Sequence, residues 1–120
     1  LLTLVNGMGN VVLIGMPGAG KSTVGVVLAK ALGYTFVDSD LVIQQQTGKL
    51  LHELIREHAI EGFWQIENDV NVSLKPDKAV IATGGSVCYE AEAMEHLRRI
   101  GKVIYLKVTP KVLEKRIKNQ

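Results

Sequence analysis

The sequence predicts an α/β fold, three layers deep, with helices on both faces of a parallel sheet. Three observations carry this. The run "NVVLIG", Asn10 to Gly15, is continuously apolar, the pattern of a strand buried on both faces. Such runs then alternate with segments of helical spacing along the whole chain, as βα units do. Finally, 120 residues with 47% hydrophobic and 22% charged side chains suit one core rather than two.

Taken in order, Asn10 to Gly15 is the first strand. Val24, Val27, Leu28, Ala31 and Leu32 recur at helical spacing from Lys21 onward, and Gly33 stops that helix. "YTFVD" is a second strand ending at Asp38. Leu41 to Gln46 reads as a helix broken by "TGK". Leu50, Leu51, Leu54, Ile55 and His58 mark a third helix, and Phe63, Ile66, Val70 and Leu74 the stripe of a fourth. "AVIATGG" is a third strand running into a glycine pair. Glu90 to Arg99 is a helix, Lys102 to Lys107 a fourth strand, and Pro110 opens a last helix.

The bulk charge excludes some partners. A formal net charge of +2 with no basic run longer than two gives no footprint for nucleic acid or an acidic membrane. The opening "LLTLV" has neither the basic flank nor the cleavage pattern of a signal peptide, and no apolar run approaches a membrane span. The one cysteine, Cys88, forms no internal disulfide, which points to a reducing cytoplasm. It is expected to be a buried thiol. His52, His58 and His96 show no metal-ligand spacing and read as surface or helix-flank residues.

The chemistry concentrates in "GMPGAGKS", which matches GxxxxGKS/T at Gly15, Gly20, Lys21 and Ser22. Glycines let the backbone turn left-handed and approach a ligand closely. Successive N–H groups then form an anion nest, and the following helix adds its positive end. Lys21 is placed to reach outer phosphates, and the Ser22 hydroxyl to bind Mg²⁺. The flanking strand and helix supply the context the pattern requires.

In parallel sheets ligands bind beyond the carboxyl ends of the strands. "DSD" follows the second strand, with Asp38 and Asp40, and "TGGS" follows the third, Thr83 to Ser86. Two readings stand for the aspartates: caps of the next helix, or Mg²⁺ support and an acceptor site. The glycine pair is either a turn or the floor of a second substrate site.

At this point the residues resemble the shikimate kinase family of small P-loop kinases. The resemblance rests on "GMPGAGKSTVG", "LAKALGYTFVDSD", "TGK", Phe63 with Glu67, "VIATGGSV" and "VIYLKV", from about Asn10 to the end. It implies a three-layer P-loop kinase fold with strand order 2-3-1-4 and a fifth strand beyond Gln120. It also implies that residues 1–120 are a single kinase domain lacking the lid and C-terminal part. Gly18, Ala19, Gly20, Lys21, Ser22 and Thr23 would hold the ATP phosphates, and Arg116 would pack on adenine. Ser22 would bind Mg²⁺ directly and Asp38 through water. Asp40 would accept hydrogen bonds from the acceptor's hydroxyls and align the attacking one. Gly84 and Gly85 would contact the acceptor by backbone.

The chain departs from the family pattern at two of its own positions. The family's F-R-x-x-E is "FWQIE" here, so Trp64 stands where an arginine grips the shikimate carboxylate. Ser86 replaces the third glycine after Gly84-Gly85. Indole offers one neutral N–H where guanidinium offers a charged fork. Either Trp64 packs at the core edge while another basic group such as Arg56 binds the carboxylate, or the acceptor is not shikimate.

The function implied is MgATP-dependent phosphoryl transfer to a small-molecule hydroxyl by a cytoplasmic monomer, with shikimate as leading acceptor. The alternatives are a kinase of another polyol or sugar, and a nucleotide-binding regulatory module with little catalysis. The chain has no N-K-x-D guanine signature, which argues against a GTPase.

Overall fold

A computed structural model describes residues 9–15 and 20–106. Gly18, Ala19, Arg116 and the helix expected from Pro110 lie outside them. The elements are β1 (Asn10–Gly15), α1 (Lys21–Leu32), β2 (Thr35–Asp38), α2 (Ser39–Thr47), α3 (Leu51–Ser73), β3 (Ala79–Ala82), a 3₁₀ turn (Val87–Tyr89), α4 (Ala91–Ile100) and β4 (Gly101–Leu106). The sheet runs β2-β3-β1-β4, every neighbouring pair parallel. This is the order and direction expected from the sequence.

The apolar run of β1 is continuous because both of its faces are covered. Val11 and Leu13 pack with Val80, Leu28 and Ala29 under α1. Val12 and Ile14 point the other way, into Ile81, Leu74, Met94 and Leu97 beneath α3 and α4. Val11, Val12 and Leu13 are wholly buried, and full burial contributes about 1.5–3 kcal/mol for a side chain of this size. A third cluster, Ile43, Leu54, Phe63 and Val70, joins α2 to α3.

The inward stripe of α1 differs from its expected register. Val27 is 64% exposed and Ala31 is also at the surface, while Gly25, Leu28 and Ala29 are buried. Gly25 takes the inward place because Phe36 presses on the helix there: a methyl at Gly25 would sit 2.6 Å from Phe36 Cε1. Gly33 ends α1 and Gly48 ends α2, each at positive φ with its N–H turned back on the last helical turn. The two helices expected between Leu50 and Leu74 form one element, α3, interrupted at Ala59 (φ 60°, ψ 176°). That break falls between the stripe ending at His58 and the one beginning at Phe63.

Cys88 overturns its expectation and is exposed. In the 3₁₀ turn Val87 takes the inward position, 1% exposed, and leaves the next two side chains facing solvent. His52 and His58 are exposed, whereas His96 is half-buried with Nε2 2.5 Å from the Leu74 carbonyl oxygen. Among the described residues no helix is long and apolar enough to cross a membrane.

Candidate active site

The carboxyl ends of β2 and β3 and the start of α1 enclose a cavity of about 380 Å³. Gly20, Lys21, Ser22 and Thr23 line one side. Asp38 and Asp40 line another, with Ala82, Thr83, Gly84 and Gly85 as the third. All three strand-end stretches singled out in the sequence therefore meet in one space. Trp64 is not among the lining residues and is 44% exposed on α3.

The side lined by Gly20, Lys21, Ser22 and Thr23 suits an anion. The N-cap of α1 is Gly20 (φ 83°), no side chain caps that helix, and its first turn holds no acidic residue. The positive end of α1 thus faces the cavity, a setting that suits an outside anion. Lys21 Nζ donates to the Gly15 carbonyl at 2.7 Å, which ties the amine to the end of β1. Burial lowers the Lys21 pKa from its ordinary value, and the Asp40 carboxylate opposes that. A Mg-bound polyphosphate fits these groups: the positive helix start and an ammonium for the phosphates, and the Ser22 hydroxyl with Asp38 for the hard cation.

Asp38 caps the next helix and also stands on the cavity wall. Its Oδ1 accepts from the N–H groups of Asp40 (2.9 Å) and Leu41 (3.4 Å) at the start of α2. Asp40 makes no such cap. Burial first, then the Asp38 and Glu67 carboxylates, push its pKa up to about 6, with Lys21 opposing. Thr83 is a tie rather than a ligand: its N–H and Oγ1 both donate to the Leu13 carbonyl, at 3.2 and 2.9 Å.

Sequence reasoning assigned no role to the layer beneath the glycine pair. Glu67 is 2% exposed, and Ser86 Oγ donates to its Oε1 at 2.7 Å. Glu67 Oε2 lies against Gly84: a methyl there would be 2.5 Å from it and 3.1 Å from Asp40 Oδ1. Gly84 is a glycine because two carboxylates close on its α-carbon. Gly84→Ala is expected to lower stability by about 1–3 kcal/mol through overpacking, read as a shift in urea midpoint at unchanged m-value. An unchanged midpoint would disprove the close approach. The signal for Glu67 was present in the sequence. Phe63, Glu67, Val70, Asn71 and Leu74 follow 3–4 spacing, so the carboxylate shares the buried stripe.

The shikimate kinase family model matches residues 17–120. Shikimate kinase 2 of Yersinia pseudotuberculosis is 40% identical over 105 residues, covering 88% of this chain and 60% of that protein. The shikimate kinase of Acinetobacter baumannii, solved in complex with shikimate, superposes with TM-score 0.82 at 32% identity, over 100% of this chain and 69% of that one. The enzyme of Bacteroides thetaiotaomicron gives TM-score 0.81 at 33% identity, over 94% and 65%. The chain thus spans about 60% of the length of the curated relatives it matches. A match of this extent, on a cavity built from the residues that carry the resemblance, means that the chain belongs to the shikimate kinase family.

Proposed function

We propose that the chain carries the nucleotide and acceptor sites of a MgATP-dependent kinase that phosphorylates a hydroxyl of shikimate. What supports the reading is one cavity lined by a helix start, a lysine, two aspartates and a glycine pair. In this reading the first-turn amides of α1, from Gly20 to Thr23, hold the nucleotide's phosphates with Gly18 and Ala19, and Arg116 packs on the adenine. Lys21 neutralises charge on the transferred group. Mg²⁺, held by Ser22 and Asp38, supplies further charge neutralisation when bound. Asp40 accepts the proton of the attacking hydroxyl and aligns it, and the Gly84 and Gly85 backbone forms the floor under the acceptor. Phosphoryl transfer runs through a loose transition state, so positioning and charge neutralisation are what these residues contribute. The same reading takes the protein as a cytoplasmic monomer.

A coupled assay with MgATP tests this, comparing shikimate with a panel of sugars and polyols. Turnover confined to shikimate is expected. Turnover on another polyol alone would replace the acceptor, and nucleotide binding with no turnover on any acceptor would overturn the kinase reading.

Trp64 is the residue on which the acceptor's identity turns. Trp64→Arg restores a charged fork at that position. Charge-assisted hydrogen bonds contribute roughly 1.5–3 kcal/mol each, so the KM for shikimate is expected to fall by about tenfold or more. With the side chain already 44% exposed, the substitution is expected to leave stability within about 0.5 kcal/mol. A loss of activity with shikimate would identify the indole itself as the contact.

A further inference from the structure

Two carboxyl groups are buried side by side behind the glycine pair. Glu67 on α3 is 2% exposed and Glu90, at the start of α4, is 8% exposed. Glu90 occupies the N-cap of α4 yet makes no side-chain cap. The N–H of Ala93 is taken instead by Asn68 Oδ1 at 3.2 Å. Glu90 turns inward, where Asn71 Nδ2 donates to its Oε1 at 3.5 Å and Glu67, one turn earlier on α3, is the carboxylate neighbour whose charge it feels. Glu67 in turn receives Ser86 Oγ and abuts Gly84.

The donor count of this cluster falls short. Glu90 Oε2 and Asn71 Oδ1 are both buried without a hydrogen-bond partner. The ion pairs among the described residues, Lys49–Glu57, His58–Glu57 and Arg99–Glu95, lie elsewhere. Two adjacent buried carboxylates without a cation carry a desolvation cost that one bound proton removes. The same proton supplies the missing donor.

We propose that Glu90 is a neutral carboxylic acid that donates its proton to Glu67, and that this pair, through Ser86, fixes the Gly84–Ser86 turn as the floor of the acceptor site. Glu90 is thus a positioning residue, acting through Glu67. Its role at the acceptor rests on the kinase reading above; its protonation does not. The groups facing Glu90 are Glu67 and Asn71 from α3; beyond Glu67 stands Asp40, whose own neighbours are Asp38 and Lys21. Burial, then the hydrogen bond and charge of Glu67, push the Glu90 pKa up to about 9, with the Asn71 bond opposing.

The sign follows from proton linkage. The folded chain binds the Glu90 proton more tightly than the unfolded one, whose carboxyl has the ordinary value of 4.5. Between those values stability falls as pH rises. Measured from pH 7 to 9, above the range of Asp40, the folding equilibrium constant of the wild type is expected to drop by up to about tenfold per pH unit. Glu90→Gln carries an amide in place of the acid and is expected to lose that component of the slope. Equal slopes in the two proteins would overturn the proposal. Should the variant not fold, ¹³C-carboxyl NMR of the wild type decides: a Glu90 midpoint above 7 supports the pair, and one near 4.5 overturns it.

The positioning arm is separate. Ser86→Ala is expected to raise the acceptor KM by about tenfold while leaving the ATP KM unchanged. Equal change in both KM values would overturn the positioning role. Absence of turnover on any acceptor would defeat the kinase reading alone, since the stability and NMR measurements still decide the proton.

Discussion

Lys21→Ala is expected to lower kcat by at least about 10²–10³-fold, the effect of removing one preorganised charge-stabilising donor. The ammonium sits at the start of α1, on the wall of the cavity and already held by the Gly15 carbonyl. It therefore needs little reorganisation when phosphate arrives. Its contribution to the fold is small by comparison. Alanine loses the hydrogen bond to the Gly15 carbonyl, worth about 1 kcal/mol net, and relieves the burial that lowers the lysine's pKa. Thermal unfolding measured beside the coupled assay separates the two effects. A kcat within a few-fold of wild type would remove Lys21 from the mechanism, and a collapse in melting temperature would make its role structural. Lys21→Arg is not expected to rescue, because a planar fork does not reproduce a compact point charge.

Asp40→Asn is expected to move activity and stability in opposite directions. In the proposed mechanism Asp40 accepts the hydroxyl's proton and works ionised, so its removal is expected to cost on the order of 10²–10⁴-fold in rate. The wild-type kcat/KM is expected to fall on the acid side with a midpoint near 6, the value to which burial and the Asp38 and Glu67 carboxylates push it. The folded chain holds this proton more tightly than the unfolded one, so Asp40 costs stability once pH rises past 3.8, and the cost is complete above 6. For a fully buried group that difference would be ~3 kcal/mol; solvent screening of this half-buried side chain brings it to about 1 kcal/mol. Asn carries no charge, so the variant is expected to be more stable than wild type at pH 7 and nearly inactive. A variant no more stable, or an acid limb still centred on 6, would assign that titration to another group.

The order of elements was legible because burial on both faces leaves a strand no polar positions. "NVVLIG" is such a run, and β1 pairs with β3 and β4 while α1 and α4 cover its two sides. That Lys21 and Ser22 stand together at the start of a helix was legible because the motif is local, and both line the cavity. Less legible was which side of a helix faces inward. On α1, Val27 satisfied the spacing yet lies outside, since Phe36 of β2 selects Gly25 instead. Spacing ranks a helix's faces by polarity alone, whereas the neighbouring element ranks them by shape. Cys88 was misjudged for a similar reason. Small thiols favour burial on average, but a three-residue turn has one inward place and Val87 holds it.

By itself the sequence determined the layered parallel fold, because each element's pattern is carried by neighbours in the chain; the strand order came only from the resemblance to a family, and the sheet has it. Asp38, Asp40 and the glycine pair share one cavity with Lys21 and Ser22, as their places at the strand ends led one to expect, whereas only the tertiary structure decided that Trp64 stays off its walls. It alone brought Glu67, Ser86 and Glu90 together across 19 residues of chain and more. A buried carboxyl draws its ionisation from whatever lies within a few ångströms, and that company is set by folding, not by position in the sequence.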